Sequence, residues 1–193
     1  SERSGTGTQG AQQKLDMLGR VFDPRKSPAA WQWELARWAQ LAALVPDPTV
    51  FSRIVAENGA LLYHPASKES FTIADPPPAK FVDALRDEGC HPMSVGRVIV
   101  ATWEPHQKTC LDVIHDMGLE LQVIFNKGAV MILPANVNKA SGLKAALKVM
   151  NLSPHNVVAV GDAENDHALL RMCEVSAAVS NALPAVKDTA DIV

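Results

Sequence analysis

Apolar residues along the chain follow three patterns, and each pattern predicts a different type of structure. In residues 28–44 they recur at helical spacing and include Trp31 and Trp38, which predicts a helix with one buried face. Residues 76–133 follow an α-β-α-β-β order, which is enough for a small α+β subdomain. From Asn138 onwards the pattern changes to helix, strand, helix, strand, as in α/β proteins.

Turn and proline signals divide these segments into individual elements. A strand at 53–56 runs into the turn signal Glu57-Asn58-Gly59-Ala60, and the apolar run 61–63 follows. The proline-rich stretch 75–78 predicts a stiff boundary. Beyond it we predict, in order, helix 79–88, strand 97–103, helix 106–117, strands 120–126 and 130–133, helix 139–150, strand 156–160, helix 164–173 and strand 175–179.

The sequence Gly161-Asp162-Ala163-Glu164-Asn165-Asp166 follows an apolar strand and is the main candidate for chemistry. A continuous apolar run is typical of a parallel strand buried on both faces, and ligands bind beyond the carboxyl ends of such strands. Two carboxylates held together repel each other and need a cation, and oxygen ligands favour Mg²⁺. We therefore predict that Asp162, Asn165 and Asp166 bind Mg²⁺. The alternative is that Asp162 only caps the following helix.

Lys139 and Asn181 are expected at the same edge of the sheet. Lys139 opens the helix that leads to the acidic strand, and a lysine there works against the helix dipole, which suggests another purpose. Its ammonium can bind a phosphate oxygen and steady a carboxylate nucleophile; the alternative is an ordinary surface lysine. Asn181 follows the strand 175–179, so we expect it beside Asp162 as a supporting residue.

The composition and charge of the chain are typical of a soluble globular protein. The chain has 193 residues, 47% hydrophobic and 20% charged, as in a soluble globular protein of one domain or a core with a small second domain. Its formal net charge of -3 gives no electrostatic reason to expect nucleic acid or an anionic membrane as a partner. No apolar run approaches the roughly 20 residues that span a bilayer, and no signal peptide is visible. The three cysteines lack C-x-x-C spacing and are expected to be buried thiols, so we expect a cytoplasmic protein.

With these residues identified, the chain resembles the haloacid dehalogenase (HAD) superfamily, in its Cof-type, sugar-phosphatase-like branch. Four pieces match in order between about residues 45 and 193, and the acidic motif combined with the lysine motif is highly specific. The pieces are Ala56-Glu57-Asn58-Gly59-Ala60, Asn138-Lys139-Ala140-Ser141-Gly142-Leu143, Gly161-Asp162-Ala163-Glu164-Asn165-Asp166, and Ser180-Asn181-Ala182 with Ala190-Asp191.

The resemblance implies a fold of the α/β class with a defined division of the chain. It is a HAD-like Rossmannoid core, incomplete at its N-terminus, that carries a small α+β cap of the C2 type. Residues 49–75 and 134–193 would form the core, residues 76–133 the cap, and residues 1–48 a divergent helical segment.

The resemblance also implies an activity and residue roles. The family transfers phosphoryl groups through an aspartyl-phosphate, with Mg²⁺ holding the phosphate, so the implied substrate is a small phosphorylated metabolite. Asp162 would be the Mg²⁺ ligand, Asp166 its supporting catalytic acid and Lys139 the catalytic, phosphate-binding lysine. Asn58 and Asn181 would contact the substrate.

The nucleophile motif of the family does not match this chain. The family places D-x-D-x-T after its first strand, and no D-x-D occurs in residues 1–193. The nearest sequence is Val21-Phe22-Asp23-Pro24-Arg25, where Arg25 replaces the second acid. Either the N-terminal part was lost or replaced, or another polypeptide supplies the nucleophile. A core without its central strand exposes apolar surface, so we expect a homodimer, a strand exchange or cover by the N-terminal helices.

Two functions therefore remain open from the sequence. The first is a Mg²⁺-dependent phosphohydrolase, and the second is a non-catalytic HAD-fold protein that binds a ligand or acts as an oligomeric scaffold. The cap would select the substrate, with Arg97, Trp103, His106, Asn126 and Lys127 as candidates. Among these, Lys127-Gly128 is more typical of a hairpin turn and Trp103 of cap core.

Overall fold

A computed structural model describes residues 47–126 and 128–193 of the chain. The tryptophan-rich helix predicted at 28–44, the segment around Asp23 and the Lys127 side chain lie outside the described residues. No helix within the described ranges is both long enough and apolar enough to cross a membrane.

The described chain begins with an antiparallel sheet of three short strands. These are β1 (Ile54–Ala56), β2 (Leu61–His64) and β3 (Glu69–Thr72), with Val55 opposite Leu62 and Tyr63 opposite Ser70. The predicted strands and the turn between them are confirmed. Strand β3 was not predicted, because only one of its four residues, Phe71, is apolar and three of the four are exposed.

Residues 79–134 form the predicted α+β unit. Helix α1 (Ala79–Asp87) and helix α2 (Gln107–Asp116) pack on an antiparallel sheet of order β4-β5-β7-β6. Its strands are β4 (Ser94–Val95), β5 (Val100–Trp103), β6 (Leu121–Asn126) and β7 (Ala129–Pro134). Strands β6 and β7 pair up to Asn126 opposite Ala129, and Gly128 has a φ of 85°, so the predicted hairpin turn is confirmed.

The second face of this sheet joins the rest of the molecule. One hydrophobic cluster holds Ile99, Met131 and Leu133 together with Ala60 and Val137, which lie outside the unit at its two ends. The α+β unit and the first sheet therefore share a core.

The C-terminal third has the predicted α/β order. Helix α3 (Lys139–Met150) leads to β8 (Val158–Gly161), and helix α4 (His167–Met172) leads to β9 (Val175–Ala178) and helix α5 (Pro184–Lys187). Strands β8 and β9 are parallel, with Val160 opposite Ala177, so their carboxyl ends meet at one edge. Together with the α+β unit, this gives the mixed α/β fold that was expected.

Strand β8 corrects one prediction. The sequence predicted a strand buried on both faces, but Val158 is 64% exposed and Val160 is 44% exposed, whereas Ala159 is 5% exposed. Only β9 pairs with β8 within the described residues, and α4 and α5 cover just the face that carries Ala159. A continuous apolar run is typical of a strand buried on both faces, but it does not determine whether other elements cover one face or both.

The cysteines correct a second prediction in part. Cys90 and Cys110 are buried in the core of the α+β unit, as expected, but Cys173 is only half-buried. Burial raises the pKa of the Cys110 thiol to about 12, and burial also raises the pKa of Cys90 and of Cys173. Raised pKa values keep these thiols protonated and therefore poorly nucleophilic at neutral pH.

Candidate functional site

The acidic loop begins where β8 ends. Gly161 is buried there because Asp166 folds back over it: a Cβ on Gly161 would lie 2.7 Å from the Cβ of Asp166. Residues Glu164–Asp166 form one 3₁₀ turn before α4, so the predicted helix 164–173 starts later than expected and ends at Met172. This compact turn brings Asp166 back beneath Asp162.

Asp166 is the best-connected side chain of the loop. It is 4% exposed, and its Oδ2 accepts hydrogen bonds from the backbone N–H groups of Asp162 at 3.0 Å and Ala163 at 3.1 Å. Its Oδ1 lies 2.5 Å from the Nζ of Lys139. A buried carboxylate is tolerated only when it is paired and hydrogen-bonded in this way, so Asp166 fixes both the loop and the lysine.

Lys139 is the first residue of α3 and reaches across to the acidic loop. Its Nζ also donates a hydrogen bond to Oδ1 of Asn165 at 3.2 Å, and its side chain is 34% exposed. The helix start is fixed by Asn138 and Ser141, each of which bonds the other's backbone N–H at 2.9 Å. The prediction that Lys139 and the acidic motif meet is confirmed by these contacts.

Asn58 reaches the same corner from the other side. Its Oδ1 accepts a long hydrogen bond of 3.4 Å from Nδ2 of Asn165, and its own Nδ2 is buried without a hydrogen-bond partner among the described residues. A buried amide donor left unpaired costs free energy, so Asn58 is suited to bind an acceptor that a ligand supplies. We call Asn58, Lys139, Asp162, Asn165 and Asp166 the lysine corner.

Asn181 is less firmly connected to the lysine corner. It lies exposed on the loop after β9, and that loop is tied to the corner by the hydrogen bond from Leu183 N–H to the Asp162 carbonyl at 3.1 Å. Asp162 itself is half-buried at the tip of β8. A direct role for Asn181 stays a prediction.

Comparison with known proteins decides the family. A sequence model of haloacid dehalogenase-like hydrolases matches residues 96–193. The chain belongs to this family. The match includes Lys139 and the acidic loop.

Relatives and solved structures agree with the family. Phosphoglycolate phosphatase 2 of Saccharolobus solfataricus is 36% identical over 102 residues, which cover 52% of this chain and 42% of that protein. The phosphoglycolate phosphatase of Haloarcula marismortui is 28% identical and covers 89% of this chain and 82% of that protein. A haloacid dehalogenase-like hydrolase from Bacteroides thetaiotaomicron has the same fold, with a TM-score of 0.58 at 17% identity over 72% of this chain and 70% of that one. The chain spans less than half the length of the Saccharolobus relative.

Membership of the HAD-like family implies Mg²⁺ as a cofactor, and the residues of the lysine corner are suited in part to bind this ion. Within the described residues, no group of three or more His, Cys, Asp or Glu side chains could hold a metal ion. Both oxygens of Asp166 are engaged by Lys139 and the backbone, and Oδ1 of Asn165 faces Lys139. Mg²⁺ often uses one or two carboxylates with several waters and substrate phosphates, and Asp162 at the tip of β8 is a carboxylate of this kind. The ligand set Asp162, Asn165 and Asp166 stays a prediction.

Two of the cap candidates, Arg97 and His106, make side-chain contacts to other parts of the chain. The guanidinium of Arg97 donates to Oγ of Ser70 at 2.5 Å, and the His106 ring lies 3.0 Å from the carbonyl of His91. Trp103 is half-buried rather than part of the cap core, and Asn126 ends β6. Their roles toward a substrate stay predictions.

Sequence reasoning missed two residues that organise the structure. In the sequence Glu57 stands only within a turn signal, yet it is 2% exposed and accepts three backbone hydrogen bonds. In the sequence Asp191 stands only within a family motif, yet it accepts hydrogen bonds at 2.7 Å from both N–H and Oγ of Ser176. An acid in a turn between two apolar strands was the available signal for Glu57.

Asp191 makes stability depend on pH. The Ser176 hydroxyl and N–H hold the pKa of Asp191 below its usual value of 3.8. A lowered pKa stabilises the fold above the unfolded-state pKa, and this contribution is lost as the pH falls through the folded-state value. We expect Asp191→Asn to lower the Tm at pH 6, and the Tm difference from wild type to shrink when both proteins are melted below pH 4. A Tm difference that stays constant with pH would count against the charge of Asp191.

Proposed function

We propose that the chain is a Mg²⁺-dependent phosphohydrolase that hydrolyses a small phosphate monoester. The observation that carries this proposal is the Lys139 ammonium, which Asp166 and Asn165 hold at the carboxyl ends of two parallel strands. Membership of the HAD-like hydrolases and the phosphoglycolate phosphatases among the relatives support it. Phosphoglycolate is therefore the first substrate to test.

Each residue of the lysine corner has a role in this proposal. The Lys139 ammonium binds a phosphate oxygen and offsets its negative charge, as preorganised cations do in phosphoryl transfer. Asp166 and Asn165 keep the ammonium in place, so that it need not reorganise when the substrate arrives. The free N–H of the Asn58 side chain donates to the substrate, and Asn181 contacts it from the loop after β9.

The metal ion would be held chiefly by Asp162 together with substrate oxygens and water. When bound, Mg²⁺ supplies neutralisation of phosphate charge and orientation of the group that is transferred. The carboxylate of Asp162 follows a strand whose end is fixed by Gly161, and this gives the metal ligand a rigid support.

A second function is favoured by one specific observation. Residues 1–193 contain no D-x-D sequence, and phosphoryl transfer through an aspartyl-phosphate needs a nucleophilic carboxylate. The alternative is a non-catalytic protein that binds phosphate compounds or acts as a scaffold, with the exposed face of Val158 and Val160 available for a second copy. Turnover separates the two functions, because a non-catalytic protein binds phosphate without releasing it from an ester.

The test is phosphate release from a panel of small monoesters that includes phosphoglycolate, measured with Mg²⁺ and with a chelator. We expect release only with Mg²⁺, and we expect Asp162→Asn to lower kcat/KM by about 100-fold or more. Asp188→Asn, at an exposed acid of the same C-terminal region, serves as the matched control and should leave kcat/KM unchanged. Activity that survives Asp162→Asn would remove the lysine corner from the mechanism.

A further inference from the structure

The turn Glu57-Asn58-Gly59 contacts three parts of the molecule with three consecutive residues. Glu57 is buried, and its Oε1 accepts a hydrogen bond from the N–H of Arg97 at 2.9 Å. Its Oε2 accepts from the N–H of Val98 at 2.8 Å and from the N–H of Ile99 at 3.1 Å. Both oxygens of one carboxylate thus bind consecutive amides of a segment that lies about forty positions away in the chain.

The backbone of the turn adopts a conformation that needs support. Glu57 and Asn58 have φ values of 51° and 52°, which residues with a side chain rarely adopt, and Gly59 has a φ of 109°. Gly59 presses against the start of α3, since a Cβ there would lie 2.0 Å from the carbonyl oxygen of Asn138. On the other side, Gly142 of α3 leaves room for the turn, because a Cβ on it would lie 2.6 Å from the carbonyl oxygen of Gly59.

The middle residue of the turn connects this support to the lysine corner. The side chain of Asn58 contacts Asn165, and Asn165 in turn accepts a hydrogen bond from Lys139. Arg97, at the other end, is held twice: Glu57 binds its backbone N–H, and Ser70 of β3 binds its guanidinium. One short turn therefore links segment 97–99, which leads into β5, to the side chains that surround Lys139.

We propose that Glu57 is a positioning residue that fixes segment 97–99 relative to the lysine corner and so controls how the non-phosphate part of a monoester binds. Glu57 touches no substrate; its carboxylate acts through the amides of Arg97, Val98 and Ile99. This inference rests on the proposed function, because it concerns binding at the same corner. In this proposal inorganic phosphate contacts only the corner and the rest of a monoester extends toward segment 97–99, so the two ligands should respond differently when that segment is released.

Three variants of the full chain test the role of Glu57. Glu57→Gln keeps the shape but turns an N–H group toward amide N–H groups at one of the two oxygen positions. Glu57→Asp keeps the charge but shortens the side chain by one methylene. Its exchange rates and its affinity for phosphoglycolate should therefore lie between those of the wild type and Glu57→Gln. It replaces Glu57→Gln if that variant does not fold. Glu120→Gln, at an exposed acid of the same α+β unit, is the matched control.

Two measurements are made on each protein: hydrogen exchange of the 97–99 amides, and the Kd of inorganic phosphate and of phosphoglycolate with Mg²⁺. We expect Glu57→Gln to speed exchange of these amides by about 10-fold or more and to raise the Kd of phosphoglycolate by about 10-fold. The Kd of inorganic phosphate should change by less than about 2-fold. Unchanged exchange, or an equal loss of affinity for both ligands, would overturn the proposal. A wild-type chain that binds neither ligand contradicts the proposed function, and the exchange rates then still decide whether Glu57 holds segment 97–99.

Discussion

Replacing Asp166 by alanine is expected to lower the free energy of unfolding more than any other single change in the lysine corner. The substitution leaves the Lys139 ammonium without its carboxylate and removes the acceptor from the backbone N–H groups of Asp162 and Ala163. Breaking a fully buried ion pair costs about 3–5 kcal/mol. Because the Lys139 side chain is 34% exposed, we expect a loss of about 2–4 kcal/mol.

Denaturant unfolding of two further variants controls this measurement. Asp166→Asn retains the volume of the side chain but presents an N–H group to one set of donors, so its loss should be smaller than that of alanine. Asp188→Ala, at an exposed acid, should change the free energy of unfolding by less than about 0.5 kcal/mol. If Asp166→Ala proved as stable as Asp188→Ala, the contacts of Asp166 would not support the loop as described.

The second large effect is expected on activity when Lys139 is replaced by methionine. Methionine keeps most of the apolar stem but removes the charge that binds phosphate, and removal of one such preorganised group costs about 100- to 1000-fold in rate. We expect kcat/KM for phosphate release to fall by at least about 100-fold. Lys139→Arg should retain part of the activity, because it keeps the charge but changes its shape.

Lys144→Met provides the control for Lys139→Met on the same helix. Lys144 lies exposed on α3, five residues after Lys139, so its replacement should leave kcat/KM unchanged. A similar loss in both variants would indicate that the lysines act through the overall charge of the protein and not at a defined site.

The sequence predicted that Lys139 and the acidic loop meet, because their proximity follows from chain order. Lys139 opens the helix that precedes β8, and Asp162 and Asp166 directly follow that strand, so a parallel α/β arrangement brings them to one edge. The ion pair between Lys139 and Asp166 was not predicted, because the sequence assigned Lys139 to a phosphate oxygen and Asp166 to Mg²⁺. Most helices and strands were predicted to within a few residues, since each carried its own periodicity or turn signal.

Other features depended on distant contacts that no local pattern reveals. Glu57 is held by hydrogen bonds from amides about forty residues later in the chain. A turn signal gives no information about the direction of its side chain. Strand β3 is held by pairing with β2, although three of its four residues are polar and the strand is largely exposed. The exposure of Val158 and Val160 depends on which layers cover β8, which the apolar run itself does not specify.

Binding of inorganic phosphate to the full chain is the most direct test of the central claim, because it does not require a nucleophile or turnover. Calorimetric titration with Mg²⁺ should be made on the wild type, Lys139→Met and Lys144→Met. We predict that wild type and Lys144→Met bind phosphate with the same Kd, and that Lys139→Met binds it about 100-fold more weakly. Equal affinity in all three proteins, or no binding by the wild type, would contradict the assignment of the lysine corner as a phosphate site.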